Sequence, residues 1–443
     1  MKRHLLFTIS TALLVCLASP VKGQEAYKPI TITPGGSVTI QAEDYNKGGR
    51  GIGYQDRQNN YVCPTGDRFP VLAWHSILPV EELTKKRYEE LAECGFNLSL
   101  SSVWGWDKAT MQKSMDSCRG SGVQQIFPGS ILDVAPEFKD NDMVACWYLK
   151  DEPNYAEYAD LRAYKDRVRA IDDTHLLYLN LFPTYASETQ LGITDYSQYV
   201  QKYADTIGLG IISYDHYPIK YNTSTKVTTL RTDYYENLQR VSAICRATNQ
   251  PLWAFCCSTS HFGYSVTERW MMRLQVFSDL AYGAQCIQYF TYWLPAGWEG
   301  PAPIDANGNR TEVYDLVKAL NQEVRNLTPV FLGAKVVQVG HLGSTIPIGA
   351  AEFKKRPECF SSIKALGTGC LISHLKNGDN EYLMIVNPGV ANNQSIKLTK
   401  NASTPYSIHQ VTPEGELIDA SLGTFSIKVG DYLLFQWNPN ENN

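Results

Sequence analysis

The sequence predicts an α/β protein, a (β/α)8 barrel followed by a C-terminal antiparallel β-sandwich. Two observations lead to this prediction. Eight apolar segments of strand length alternate with helical segments between residues 63 and 330. Beyond that range the helical pattern stops, and short alternating segments such as EYLMIVNP, QSIKLT and DYLLFQW follow, separated by Gly, Asn and Pro. A barrel takes roughly 250 residues, so the first region has the length of a complete one.

The eight strand segments are nearly continuous in apolar character, as strands buried on both faces must be. Between them lie amphipathic helical segments, for example EYADLRAYKDRVRAID, which places Leu161, Tyr164, Val168 and Ile171 on one face. A doubly wound open sheet is the alternative, but the first strand ends in AWHSILP without a glycine-rich phosphate loop. The eight segments are FPVLAWHS, FNLSLSS, VQQIFPG, MVACWYL, HLLYLNL, IGLGIISYD, PLWAFCCS and CIQYFTYWL.

The N-terminus has the features of a secretory signal peptide. Lys2, Arg3 and His4 precede the apolar run LLFTISTALLVCLA, and small residues follow up to Gly23. We therefore expect a secreted or periplasmic protein; lipoprotein anchoring at Cys16 is the less favoured alternative. No later segment is long and apolar enough for a membrane span. The predicted division is 1–23 signal peptide, 24–62 short N-terminal β segment, 63–330 barrel and 331–443 sandwich.

Composition excludes several functions. The 443 residues carry a formal net charge of −5 with no Lys/Arg run, so nucleic acid is not an expected partner. The cysteines are scattered without a C-x-x-C pair, which argues against zinc, and we predict no metal and no cofactor. Cys359 and Cys370 are the one pair considered for a disulfide. Aromatic residues make up 12% of the chain, which fits large cores or platforms for sugar rings.

The fourth strand ends in WYLKDEPN, which places two adjacent acids, Asp151 and Glu152, at the strand end. Barrel enzymes carry their active sites at the C-terminal ends of the strands. Acids at such a place are costly unless they are used or paired, and a salt bridge to a neighbouring loop Lys or Arg, such as Lys150, is the structural alternative. Glu152 is therefore the leading candidate for a catalytic acid.

The other strand ends supply candidate substrate-binding residues. The sixth ends in SYDHYP, and aromatic residues follow the first, second and eighth strands. We expect four tryptophans among them to cluster at the barrel mouth, because all four fall at or just past predicted strand ends. The candidate binding residues are Asp151, Trp74, His75, Trp104, Tyr214, His216, Tyr217, Tyr292, Trp293 and Trp298, and the four tryptophans are Trp74, Trp104, Trp293 and Trp298.

These motifs resemble those of a known group. DEP resembles the Asn-Glu-Pro of clan A retaining glycosidases, in which the Glu is the general acid/base. YDHYP and GPAPIDANGNRTEVYDLVKALNQEV resemble the sixth-strand motif and the eighth-strand exit of bacterial β-galactosidase-like barrels. The stretch ITPGGSVTIQAEDYNKGGRGIGYQD resembles the opening of family 6 carbohydrate-binding modules, but about forty residues are too few for a working module.

The sequence departs from clan A at the seventh strand. That family carries its nucleophilic Glu there, whereas this strand ends in AFCCST with no carboxylate. Glu268 lies beyond it, where the next helix is expected to begin. Asp151 also replaces the family's Asn, which contacts the sugar 2-hydroxyl; a carboxylate can accept that hydrogen bond but cannot donate one.

Glycoside hydrolysis normally needs a second carboxylate, for which Asp215 and Glu299 are the candidates. Asp215 is favoured because it lies at a strand end two strands from Glu152, whereas Glu299 lies in a loop. Asp151 is less favoured, since neighbouring strand residues point to opposite faces. With no acid on the seventh strand, we expect inversion and a Glu152–Asp215 separation of about 6.5–9.5 Å.

The sequence therefore predicts an exported glycoside hydrolase that cleaves an O-glycosidic bond in an oligosaccharide or polysaccharide. The alternative is a non-catalytic glycan-binding protein on a degenerate glycosidase barrel, which the empty seventh strand favours. A lyase or esterase that uses Ser258 with His261 has no G-x-S-x-G setting here, and a metal-dependent hydrolase is disfavoured because His75, His216 and His261 lack metal-ligand spacing. Sugar, linkage and oligomeric state stay open.

Overall fold

The structure is a computed structural model that describes residues 63–266 and 268–441. It also describes the backbone of two strands, β1 (His4–Thr8) and β2 (Ser37–Gln41), which pair antiparallel. Apart from these strands, the predicted signal peptide, Cys16 and the stretch that resembles a carbohydrate-binding module lie outside the described residues. In the part of the chain that the structure describes, no helix combines the length and apolar character needed to cross a bilayer.

Eight parallel strands close into a barrel in the order β11-β12-β3-β4-β5-β6-β7-β8, and two further strands, β9 and β10, form a hairpin after the sixth barrel strand. All eight segments predicted as barrel strands are barrel strands, so the fold class is confirmed. The strands of this region are β3 (Val71–Trp74), β4 (Leu98–Leu100), β5 (Gln124–Phe127), β6 (Val144–Asp151), β7 (Leu176–Leu181), β8 (Ile212–Tyr214), β9 (Ile219–Asn222), β10 (Val227–Leu230), β11 (Leu252–Cys257) and β12 (Ala284–Phe290).

Helices surround the barrel, and side chains at their N-termini help to fix where they begin. Thr84, Asp107 and Asp195 each accept a hydrogen bond from a backbone N–H in the first turn of a helix. The helices are α1 (Lys85–Glu93), α2 (Lys108–Cys118), α3 (Ile131–Phe138), α4 (Tyr158–Arg169), α5 (Glu188–Leu191), α6 (Tyr196–Thr206), α7 (Tyr234–Thr248), α8 (Arg269–Ala281), α9 (Glu312–Asn326) and α10 (Thr328–Phe331).

The C-terminal region forms two antiparallel sheets over a second apolar core, as the alternating pattern predicts. One sheet has the order β13-β15-β16-β21-β18-β19 and the other β14-β17-β20. The strands are β13 (Lys335–Leu342), β14 (Phe360–Ala365), β15 (Cys370–Asn377), β16 (Asn380–Val386), β17 (Gln394–Lys400), β18 (His409–Val411), β19 (Leu417–Asp419), β20 (Thr424–Ile427) and β21 (Tyr432–Trp437).

The two cysteines considered for a disulfide are both free and buried in this second core. Cys359 directly precedes β14, whereas Cys370 begins β15 in the other sheet. They therefore contribute to the core as small apolar side chains rather than as a bridge.

A buried ionic network joins the barrel helices to the C-terminal sheets. Arg273 on α8 is 5% exposed and pairs with Glu323 on α9. Its Nε also donates to Asp431 Oδ1 at 2.8 Å, and the Tyr432 hydroxyl donates to Glu323 Oε1 at 2.9 Å. Each charge in this contact is satisfied only by a partner from another element, so the network specifies how the two regions pack.

We expect Arg273→Ala to lower the free energy of unfolding by about 3–5 kcal/mol, because it leaves Glu323 as a buried charge with its main partner removed. Denaturant-induced unfolding measures the change. The control is Arg119→Ala, which removes a half-exposed pair with Asp142 and should cost no more than about 1 kcal/mol. Equal effects of the two substitutions would contradict a structural role for the network.

Candidate active site

The fourth barrel strand delivers two acids to one place because its end is irregular. The pairing of β6 with β7 shifts register between Tyr148 and Lys150, and Glu152 has a φ of 45°. A non-glycine residue in this left-handed region is uncommon and is often found at functional sites. The expectation that Asp151 and Glu152 point to opposite faces is therefore wrong, since strict alternation requires regular strand geometry.

Asn180, at the end of the fifth strand, holds the acids together. Its Nδ2 donates to Asp151 Oδ1 at 3.2 Å and to Asp215 Oδ1 at 3.1 Å. Its Oδ1 accepts a hydrogen bond from Ser213 Oγ at 2.9 Å, and its backbone carbonyl accepts one from the Glu152 N–H at 2.9 Å. One side chain thus connects the ends of the fourth, fifth and sixth strands.

A chain of hydrogen bonds across the barrel interior fixes the orientation of that amide. The Tyr178 hydroxyl donates to Gln288 Oε1 at 2.5 Å, and Gln288 Nε2 donates to Ser213 Oγ at 2.8 Å. The Ser213 hydrogen is therefore free to donate to Asn180 Oδ1, which leaves both Asn180 N–H groups for the carboxylates. All members of this chain are buried.

Glu152 and Asp215 lie close enough to interact and compete for protons. Burial, and then the charge of Asp151, raise the pKa of Glu152 from 4.5 to about 7. The pKa of Asp215 is raised well above 3.8 by burial and by the charge of Glu152, although Asn180 opposes this. Two carboxyl groups in contact cannot both ionise easily, so the pair holds a shared proton near neutral pH.

The two acids lie closer together than the sequence-based expectation of an inverting pair. Such a pair needs about 6.5–9.5 Å between its carboxyl groups to admit water, whereas Glu152 and Asp215 are near enough to interact through a hydrogen bond. This close approach does not favour inversion, and the stereochemistry stays a prediction. The physical reason for the close approach is again the strand irregularity at Glu152, together with Asn180, which draws Asp215 towards the fourth strand.

Asp151 is the most accessible of the three acids. The residue is exposed to solvent, but the surrounding protein removes part of the water from its carboxyl group and raises its pKa from 3.8 to about 6. The hydrogen bond from Asn180 and the charge of Lys150 oppose this shift. The structural alternative proposed for this motif does not hold, because the Lys150 Nζ pairs with Glu157 Oε1 at 3.0 Å. Asp151 is thus free to meet a ligand.

Aromatic residues form the floor and one wall of the site. The Tyr148 hydroxyl is buried without a hydrogen-bond partner, and the charges of the three acids add to burial in raising its pKa. Trp74, 3% exposed, packs edge-on against the Tyr148 ring with centroids 5.6 Å apart. Tyr217 lies close enough to Asp215 for that charge to raise its pKa further. These rings limit the access of water to Asp215, which is 9% exposed.

Two histidines lie around this centre as neutral groups. Burial lowers the pKa of His75 to about 4, and its Nδ1 has no hydrogen-bond partner. His216 Nε2 contacts Asp233 Oδ1 at 3.1 Å, but burial still lowers the pKa of His216. His216 therefore packs behind the wall, between Tyr185 and Tyr234, rather than orienting Asp215.

Besides His216, three predicted binding residues are not available to a substrate. Tyr214 is buried on the helix-facing side, where burial and the charge of Asp279 raise its pKa, because alternation turns it away from its neighbours Ser213 and Asp215. Tyr292 is buried against Phe96. Trp293 is buried with the Arg87 guanidinium 5.0 Å above its ring.

The four tryptophans do not form a single cluster. Trp74 and Trp293 are buried in different places, and Trp104 is 80% exposed in the loop after the second strand. Trp298 lies with Glu299 in a groove formed by loops after the sixth, seventh and eighth strands. Glu299 is thus outside the carboxyl cluster. Among the described residues, no group of His, Cys, Asp and Glu side chains is arranged to hold a metal ion.

Sequence reasoning missed Asn180, Tyr148 and Phe262. Asn180 had a signal, because it is the one amide side chain within the apolar strand segment HLLYLNL. Tyr148 looked like any other aromatic residue of a buried strand. Phe262 lies in an irregular loop and is 79% exposed, which no periodic pattern predicts.

No family model and no curated protein matches this chain. Among solved structures it is similar to a glycoside hydrolase family 5 protein from Bacteroides vulgatus, at 12% identity over 89% of this chain and 94% of that one, with a TM-score of 0.57. A GH42 β-galactosidase from G. stearothermophilus has 10% identity over 87% and 99%, with a TM-score of 0.55.

A β-galactosidase from Marinomonas ef1 aligns at 12% identity over 58% of this chain and 60% of its own length, with a TM-score of 0.44. This chain therefore spans about three fifths of that protein. At these identities the likeness to the family 5 and GH42 proteins shows a shared glycosidase-like barrel fold.

The raised pKa values predict that folding stability falls as pH rises. A carboxyl group whose pKa is higher in the folded state stabilises the fold below its unfolded pKa, and this contribution is lost as pH rises through the folded value. For Glu152 the loss spans pH 4.5 to about 7. We expect Glu152→Gln to raise Tm at pH 8 and to change it little at pH 4.

Thermal unfolding across this pH range measures the effect. The matched control is Glu89→Gln, at an exposed position of α1, which should follow the wild-type curve. A Glu152→Gln curve parallel to wild type at every pH would show that Glu152 is not held in a site that disfavours its charge.

Proposed function

We propose that this protein is a glycoside hydrolase that cleaves an O-glycosidic bond at the cluster formed by Asp151, Glu152 and Asp215. The observation that carries the proposal is the contact between Glu152 and Asp215 at the C-terminal end of the barrel. A pair that holds one proton near neutral pH can provide an acid and a carboxylate together, which is what cleavage of a glycosidic bond requires.

In the proposed reaction Glu152 gives its proton to the oxygen of the leaving group while the C–O bond to the sugar breaks. Water then adds to the anomeric carbon and returns a proton to the Glu152 carboxylate, which completes the hydrolysis. Positive charge develops on the sugar ring, and the ionised Asp215 stabilises it. Asn180 donates to Asp215 throughout, so it favours the ionised form of that acid once the proton has been used.

Asp151 has a separate part in this proposal. It is the accessible acid, and it is adjacent to Glu152 in the chain, so a sugar whose glycosidic oxygen meets Glu152 brings a neighbouring hydroxyl towards Asp151. A carboxylate accepts a hydrogen bond from that hydroxyl, which orients the ring.

The likeness in fold to family 5 and GH42 glycosidases supports a carbohydrate substrate. The expected substrate is an oligosaccharide or polysaccharide. Export to the periplasm or the medium is also part of the proposal, and it depends on the N-terminal sequence alone.

Glycan binding without hydrolysis is the second candidate, and one observation favours it. The seventh barrel strand ends at Cys257 and continues into Ser258 and Thr259, with no carboxylate. Glu268 does not replace one, because it is exposed at the start of α8 and accepts a hydrogen bond from the Trp270 indole at 3.0 Å.

We expect Glu152→Gln to lower the rate on substrates with poor leaving groups by about 10²–10⁴-fold, the usual cost of losing a general acid. Release of sugar from a panel of aryl glycosides and polysaccharides identifies the substrate and measures the rate. Asp215→Asn should cost a comparable factor, whereas Glu89→Gln on the barrel surface should cost nothing.

Two results would contradict the proposal. If Glu152→Gln hydrolyses poor substrates at the wild-type rate, Glu152 is not the acid. If wild type releases nothing from any substrate in the panel but binds one of them, glycan binding without hydrolysis is the function. A large loss in Glu299→Gln with none in Asp215→Asn would transfer the second role to Glu299.

A further inference from the structure

Three loops at the C-terminal end of the barrel enclose a groove of about 830 Å³ beside the carboxyl cluster. We call it the aromatic groove. It is lined by the β9–β10 hairpin and by the loops that follow the seventh and eighth strands. Its lining includes Tyr221, His261, Phe262, Tyr264, Trp298 and Glu299.

Two aromatic side chains are presented to this groove rather than packed away. Phe262 is 79% exposed and has a φ of 44°, so the backbone adopts an unfavourable conformation while an apolar ring faces water. Trp298 is partly exposed and meets the Phe262 ring edge-on, with centroids 5.1 Å apart. Its other neighbour, His261, stacks on it at 4.9 Å and holds the indole in place.

Direct contacts join the three loops, so the groove exists before any ligand arrives. The Ser260 N–H donates to the Pro301 carbonyl at 3.0 Å, and the Tyr221 N–H donates to the Gly263 carbonyl at 2.8 Å. Gly300 has a φ of 128°, and a Cβ there would collide with the Ser260 carbonyl oxygen. A ligand therefore meets fixed aromatic faces and loses little affinity to loop ordering.

The buried Tyr217 ring lies between the aromatic groove and the carboxyl cluster. Tyr217 lies beside Asp215, and its ring is 5.6 Å from His261 and 5.7 Å from Tyr264, two residues that line the groove. One aromatic ring therefore separates the groove from Asp215. Polar groups on its rim include the exposed Glu299 carboxylate and the Lys220 ammonium, which lies 3.7 Å above the Tyr264 ring.

This combination fits a sugar better than a purely apolar ligand. A pyranose presents a C–H face that packs on aromatic rings and hydroxyls at its edge that bond to charged and polar groups. We propose that the aromatic groove binds a second sugar residue of the glycan whose bond lies at Glu152. The substrate would then be a chain of sugars rather than a glycoside of one sugar.

The inference rests on the proposed function for one point, the position of the cleaved bond. Binding of a sugar in the aromatic groove does not depend on that function. The test uses the full chain and Phe262→Ala, because this exposed ring can be removed without opening a core. The control is Ile348→Ala, which removes an apolar side chain that is 75% exposed in the C-terminal region. Both variants should unfold at the wild-type temperature.

We expect Phe262→Ala to lower kcat/KM about tenfold on the polysaccharide that the release panel identifies. The change should appear as a higher KM, because the variant loses one aromatic contact with the bound sugar. Hydrolysis of an aryl glycoside of a single sugar should not change. Trp298→Ala should show the same split, and Ile348→Ala should match wild type on both substrates.

Affinity electrophoresis in gels that contain each polysaccharide of the panel separates the two proposals. Unchanged polysaccharide kinetics in Phe262→Ala, with Glu152→Gln inactive, would overturn the groove and leave the hydrolase. Suppose that wild type hydrolyses nothing, but that a polysaccharide gel retards wild type more than Phe262→Ala. Sugar binding in the aromatic groove is then supported, and the proposed hydrolase activity is contradicted. Without hydrolysis or retardation in any gel, both fail.

Discussion

The candidate site depends on the side-chain amide of Asn180. Its two N–H groups reach acids from the fourth and sixth strands, and the buried Tyr178–Gln288–Ser213 chain fixes which way the amide points. Without these donors, three carboxyl groups in one barrel mouth would repel one another and separate. With them, Glu152 and Asp215 stay in contact and hold a proton. The chemistry at the strand ends therefore has its origin in the polar layer inside the barrel.

This arrangement is unfavourable for folding and useful for catalysis. Burial raises the pKa values of all three acids, repulsion from a neighbouring acid adds to this for Glu152 and Asp215, and Glu152 lies in a sparsely populated backbone region. Burial of the large apolar core around the barrel is the favourable contribution that opposes these costs. The loops around the aromatic groove are also held in place by direct contacts, so both sites are formed before a ligand binds.

Sequence periodicity was sufficient for the fold, because strands buried on both faces leave continuous apolar segments. It was insufficient for the site. Period-two alternation would have turned Tyr214 away from the mouth and Asp215 towards it, and this could have been inferred. That Asp151 and Glu152 both face one ligand site could not have been inferred from the sequence, because it depends on a register shift and a positive φ. Phe262 and Trp298 lie in loops, whose conformation is set by tertiary contacts such as that of Gly300 with Ser260.

The shared proton is the central claim, and isotope-edited infrared or carbon-13 NMR titration of the carboxyl groups tests it most directly. Difference spectra between wild type and Glu152→Gln identify the signals of the Glu152–Asp215 pair. The structure predicts that one carboxyl group of the pair still carries a proton near pH 7, since the pKa of Glu152 is about 7 and that of Asp215 is also raised. If both groups were fully ionised by about pH 5, as unperturbed Asp and Glu would be, the account of this site would be contradicted.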